Sequence, residues 1–311
     1  MDNTSPVTLM VALIGVFLAA TLLVSASPAE RSFERAFPVK DFVTLIADTQ
    51  SGGVDVRIGD GGTVSVHGTV KRNVSWRGAR VTDAEIETLR TSPPVRADGN
   101  SVRIDPIADE RLRQSVSIDY VIFVPVTTRI QVATKSGGVE IAGSRESVRA
   151  VTESGAIRIQ ATSGAVDLQS ASGAIRVAGT MHSLAMRTRS GSILAETDSV
   201  VAVEATSGSG SVTVSGVRGT LRAGTGSGRL TLDGTPMGDW DVRSRSGSVA
   251  IRVPADCRFD LDARSRSGSV KAAVTVVSTI ASSKHAVKGT VNGGGPKVAV
   301  ETGSSSITVK P

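Results

Sequence analysis

Ser154-Gly155-Ala156-Ile157-Arg158-Ile159-Gln160-Ala161-Thr162 is followed directly by Ser163-Gly164-Ala165-Val166-Asp167-Leu168-Gln169-Ser170-Ala171. Ser172-Gly173-Ala174-Ile175-Arg176-Val177 comes next. In each unit Ser-Gly and a small residue precede a short alternating run. Ile157 and Ile159 point one way, Arg158 and Gln160 the other, which is the period of a β-strand buried on one face. About five strand residues and about four turn residues fill each nine-residue unit.

Working outward, Ser-Gly copies begin at Ser136, Ser154, Ser163, Ser172, Ser190, Ser209, Ser227, Ser246 and Ser267, with gaps of 18, 9, 9, 18, 19, 18, 19 and 21 residues. A fixed short period means stacked units that cannot bury their apolar faces alone. Two units make a rung of 18 to 19 residues, with one strand on each side of a thin sandwich. Rungs stacking in register and in parallel at about 4.8 Å give a rod of about 50 Å from ten rungs after Gln131. In that stack Arg158 lies one rung from Arg176. The expected fold class is all-β, a single-chain β-solenoid with an N-terminal transmembrane or signal helix. A hairpin-linked β-sandwich is the competitor; its turns favour Asn-Gly or Asp-Gly and its period is less uniform.

Composition agrees with thin layers. The chain has 311 residues, 40% of them hydrophobic, but only 3% aromatic, and Gly is abundant at 33 copies. A net charge of +6 suits weak attraction to anionic surfaces. Cys257 is the only cysteine, so no intramolecular disulfide supports the fold.

Three segments divide the chain. Residues 1–27 hold an uncharged run, Val7 to Val24, long enough to span a bilayer core. Small residues from Ser25 to Ala29 resemble a signal-peptidase site. The segment is read as an anchor, or as a signal cleaved near Ala26, with the solenoid extracytoplasmic. Residues 28–40 read as a polar linker, and 41–311 as the repeat domain. An insertion at about 71–100 breaks the repeat. Within it Thr82-Asp83-Ala84-Glu85 matches a capping box, with Ile86 and Leu89 on one face of a short helix that Pro93-Pro94 stops. A degenerate last unit runs through Gly303-Ser304-Ser305-Ser306-Ile307-Thr308-Val309.

A longer repeat overlays the short one. Val124-Pro125, three residues, then Arg129-Ile130, leads to Ser136-Gly137. Val253-Pro254, three residues, then Arg258-Phe259, leads to Ser267-Gly268. Cys257 occupies the slot of Thr128, which favours a structural cysteine over a nucleophile. This Val-Pro segment feeding Ser-Gly-x-Val units, preceded by the strand Ile118 to Val124, resembles the adhesin-like family catalogued as domain of unknown function 4097. The resemblance runs from Phe42 to Val309 and implies a β-strand repeat fold in bacterial envelope proteins. It carries no catalytic residues, and the stretch Lys71 to Asn100 departs from it.

No chemistry-bearing constellation emerges. Calcium-binding β-rolls place an Asp regularly in Gly-Gly-x-Gly-x-Asp turns, whereas Asp167 and Asp233 are isolated here. His67, His182 and His285 share no metal-ligand spacing. The serines lack an accompanying base pattern, and no dense carboxylate cluster serves glycoside cleavage. No cofactor, metal, catalytic residue or specific nucleic-acid partner is assigned.

Arg pairs precede three turns: Arg187 and Arg189, Arg243 and Arg245, Arg264 and Arg266. They form a candidate anion-binding edge for phosphate or carboxylate groups. The expected function is a non-enzymatic, envelope-associated β-solenoid, adhesin-like or scaffolding, meeting the membrane through its N-terminal segment and binding an envelope component or anionic polysaccharide. A sensory or regulatory module for anionic envelope polymers is the alternative, and a carbohydrate-active β-helix enzyme the remote one.

Overall fold

In the computed structural model, residues 31–73, 81–179, 181–198, 202–274 and 276–311 are described, with 276–282 at backbone level only. The hydrophobic run Val7 to Val24 lies outside them. Among the described residues no helix is long and apolar enough to cross a membrane.

The repeat folds as two parallel columns of strands. Val148–Thr152 pairs with Thr128–Thr134 on one side and Ala165–Ser170 on the other. Across the core, Ile157–Gln160 pairs with Val139–Ala142 and Ile175–Ala178. Register is strict: Ile157 faces Ile175 and Arg158 faces Arg176, one rung apart. Val148 and Ala150 from one column meet Ile157 and Ile159 from the other in a core closed to solvent. Apolar side chains, mostly branched, recur at each level, so every layer closes the same narrow space even where Met186, Trp240 or Phe259 takes a place in it. The chain is an all-β solenoid with two strands per rung.

Ser163 belongs to a different corner from its neighbours. It follows Ile157–Gln160 and leads back to the first column, whereas the other eight Ser-Gly copies lead away from it. The nine-residue beat is therefore one copy on the far corner, and 18 to 19 residues is the true period.

Sequence order and stacking order part company at both ends. The last unit, Lys297–Thr302 and Ile307–Lys310, does not stack last. It lies between the level of Leu230–Ser244 and Val249–Arg252 and the level of Phe259–Ser265 and Val270–Ala272, pairing in parallel on both sides. Near the other end, Val43–Thr49 lies between Ser101–Ile104 and Thr128–Thr134, and Val54–Ile58 between Val116–Val124 and Val139–Ala142. The two Val-Pro segments are the places where the main path skips a level, and a terminal segment fills each gap. Nine levels are built from Thr128 onward, one fewer than the spacing predicts; two more precede them, eleven in all among the described residues.

Antiparallel strands finish each end. Ser32–Pro38 pairs with Thr63–Arg72, which pairs with Val116–Val124. At the other end Ala286–Val291 pairs with Phe259–Ser265 and with Val276–Ser282. Residues 32–38 are thus a strand rather than linker. Phe33 is buried with its ring over Gly68 and edge-on to Tyr120, centroids 6.2 Å apart.

The insertion carries the helix Asp83–Thr91 with both capping-box bonds made and Ile86 and Leu89 buried. The Thr82 backbone N–H, the Arg111 guanidinium and the Thr82 hydroxyl hold the Glu85 carboxyl down at about 2. That contribution is present above the usual carboxylate range and is lost as pH falls toward 2.

Candidate functional site

At the corner leading from the first column to the second, the sequence reads Ser or Thr, any residue, then Ser-Gly. The first of these residues turns inward and is buried, as at Thr152, Ser170, Thr188, Ser207, Thr225 and Ser244. Its hydroxyl can serve two levels at once. The Gly228 N–H donates to Thr225 Oγ1 at 3.1 Å, and that hydroxyl donates to Gly210 O, one level away, at 3.0 Å. Ser207 does the same with Gly210 N–H at 2.8 Å and Gly191 O at 2.9 Å. The hydroxyl accepts from the turn glycine at Thr152, Ser170, Thr188, Ser207, Thr225 and Ser244, and at Thr152, Thr188, Ser207 and Thr225 it also ties its corner to the neighbouring level. At the first inserted level the pattern lapses: Thr49 Oγ1 is buried without a partner and Gly52 turns to φ 102°.

Replacing Thr225 by Val keeps the volume and removes both bonds. We expect a loss of about 1–3 kcal/mol from unpaired buried groups, read as a lower urea midpoint. Thr213→Val, on an outward position of Val212–Thr225, should stay within about 0.5 kcal/mol of the parent.

The Ser of Ser-Gly faces outward. Its backbone N–H reaches the neighbouring level, as Ser209 N to Arg189 O at 3.0 Å and Ser246 N to Gly226 O at 3.0 Å. Its side chain is exposed at Ser190, Ser209, Ser227, Ser246 and Ser267. None of these five hydroxyls has a hydrogen-bond partner in the described chain, and none touches a histidine or carboxylate.

The six candidate arginines separate into two sets. Arg187, Arg243 and Arg264 end exposed faces of strands and are neutralised there. Arg187 meets Glu204 at 2.8 Å and Asp167 at 3.8 Å. Arg243 meets Asp241 at 3.1 Å, and Arg264 grips both oxygens of Asp262 at 2.8 and 2.9 Å. Arg189, Arg245 and Arg266 sit between the buried hydroxyl and the exposed Ser, and their guanidinium groups are exposed without an ion pair to any described residue.

Register stacks those three on one edge through Thr188, Ser207, Thr225, Ser244, Thr302 and Ser265. Arg189 and Arg245 are three levels apart, about 14 Å, and Arg245 and Arg266 two levels, about 10 Å. Gly208 and Gly226 fill the first interval and Gly303 the second. Around Arg245 and Arg266 lies an open groove of about 660 Å³, with Ser246, Ser267 and Ser304 on its wall and Glu301 between Arg243 and Arg264.

Other candidates stay apart. His67 faces Glu34 at 3.7 Å, and His285 Nδ1 lies 2.6 Å from Gly268 O. No group of three metal-ligating side chains occurs among the described residues. Cys257 is buried, and desolvation first, then the Asp256 charge, pushes its thiol up, away from the reactive thiolate.

The family model described as Toastrack DUF4097 matches residues 48–310, nearly the whole described solenoid. The chain belongs to this family. Two solved structures resemble this Toastrack chain. A putative adhesin from Bacteroides fragilis is 15% identical, with a TM-score of 0.41 over 91% of this chain and 98% of that one. A putative cell adhesion protein from Clostridium sporogenes is 9% identical, with a TM-score of 0.28 over 90% of this chain and 99% of that one. No curated protein matches the Toastrack chain.

Proposed function

We propose that this Toastrack chain is a non-enzymatic, envelope-associated binding module, adhesin-like in role. One observation carries the reading. Along the corner the buried hydroxyls are engaged in closing turns and tying levels, while the exposed serines and Arg189, Arg245 and Arg266 face outward without a side-chain partner among the described residues. A stiff stack with unsatisfied groups on one edge is suited to holding a partner and offers no base, nucleophile and oxyanion donor in one place. The hydrophobic run Val7 to Val24 would put the module outside the cytoplasmic membrane, either tethered or released.

The test is protease added to intact cells, followed by fractionation and intact mass. The solenoid should be digested while a cytoplasmic marker survives, and the mass should show whether residues before Ala26 are removed. A chain that is fully protected, soluble in the cytoplasm and intact at its N-terminus would end this reading.

A further inference from the structure

The serine ladder and the cation edge run side by side, and nothing in the fold requires either. The corner is already closed by the buried Ser or Thr. The Ser hydroxyls nonetheless recur at each level from Ser190 to Ser267, with Ser304 on the inserted level, about 4.8 Å apart. Between the cations the edge is stripped to backbone. A Cβ on Gly208, Gly226 or Gly303 would overlap the carbonyl oxygen of Arg189, Gly208 or Arg245 respectively, so no side chain can stand there. The result is a straight edge of hydroxyls with a cation every two or three levels.

We propose that this edge is a binding track for a linear acidic polysaccharide lying along the stack axis. This deepens the adhesin-like reading and rests on it. Sugar hydroxyls meet the serine hydroxyls, which both donate and accept. Carboxylate, sulfate or phosphate groups meet Arg189, Arg245 and Arg266, whose guanidinium groups form paired hydrogen bonds to such oxygens. Spacing selects among polyanions. A nucleic-acid strand carries a charge about every 3.4 Å in a duplex and is held single-stranded by aromatic stacking. Here the cations are about 10 and 14 Å apart, and no aromatic residue stands at these corner positions. A lipid surface calls for protruding apolar groups, and the residues beside the ladder are Arg, Gly and Ser.

The full chain is titrated with polygalacturonate, dextran sulfate, neutral dextran and single-stranded oligonucleotide of similar length. Binding to one or both acidic glycans is expected, falling as salt rises, with neutral dextran and oligonucleotide at least about tenfold weaker, a difference of about 1.4 kcal/mol. The two acidic glycans distinguish carboxylate from sulfate as the favoured group. Arg245→Ser with Arg266→Ser should weaken binding about tenfold. Ser209→Ala, Ser227→Ala and Ser246→Ala together should weaken it several-fold with an unchanged urea midpoint. Arg187→Ser, already neutralised, should stay within about twofold. A disaccharide uronate, unable to reach two cations, should bind far more weakly than the polymer.

Equal affinity of the double Arg variant and the parent overturns the proposal, as does oligonucleotide binding tighter than either glycan. So does a parent that binds no acidic glycan. If that failure accompanies a surface-exposed, envelope-bound chain, the adhesin-like reading survives and only the ligand is wrong. If the chain is also cytoplasmic, both fall.

Discussion

A chain ending at Gly295 is expected to lose its cooperative fold at 25 °C. Without residues 297–311 the level between Leu230–Ser244 and Phe259–Ser265 is vacant, and four strands each lose a partner. Val298, Val300, Ile307 and Val309 are buried to the last percent. Each such side chain contributes about 1.5–3 kcal/mol, so their joint removal approaches or exceeds the usual stability of about 5–15 kcal/mol. Two buried edges would also open, and exposed parallel edges recruit other chains. Circular dichroism and urea denaturation check it. The expected outcome is loss of the single transition and sedimentation as aggregates. A truncated chain that unfolds in one step at the parental midpoint would show the inserted level to be dispensable. Val300→Asp places a charge in the same layer and should act in the same direction.

The second large effect concerns adjacent glycines with opposite fates. Gly137→Ala is expected to destabilise by at least about 3 kcal/mol, because overpacking against backbone cannot be relieved by a rotamer change. A Cβ there would overlap the Gly52 carbonyl, and the carbonyl belongs to a level held on both sides. Gly138→Ala, one residue on, would place its Cβ 3.6 Å from Ala156 O, an ordinary contact. It should be neutral within about 0.5 kcal/mol. Urea midpoints of the two variants decide it, and equal shifts would mean that close stacking of corners is not what demands glycine.

Much of this was legible because a repeat states its own geometry. The spacing from Ser154 to Ser172 fixes the rung, and the alternation at Ile157, Arg158 and Ile159 fixes which face is buried. The capping box at Thr82 and Glu85 is local chemistry and could be read directly. The buried hydroxyl is equally visible in the sequence, as the Ser or Thr two residues before Ser-Gly, but nothing in the repeat says which of the two hydroxyls turns inward. Likewise Asp241-Val242-Arg243 and Asp262-Ala263-Arg264 place opposite charges two apart on one strand face. That pattern already foretold that Arg243 and Arg264 would be neutralised while Arg245 and Arg266 were not.

The inserted levels were beyond reach for a different reason. Val124-Pro125 and Val253-Pro254 showed that two places were alike. Which segment fills the gap that each skip leaves is set by pairing between residues far apart in sequence, as Val242 with Val300. Periodicity carries no information about such partners. Strand Ser32–Pro38 was missed because Glu34, Arg35 and Pro38 read as polar linker, and Phe33 finds its place only once Gly68 lies beneath it.

Chain ends ordinarily fray, and a molecule pulled by its ends then unravels one strand at a time. The C-terminal strand Ile307–Lys310 is held from both sides, by Val249–Arg252 and Val270–Ala272. Tension on the C-terminus must therefore break two rows of hydrogen bonds together before the first residue peels away.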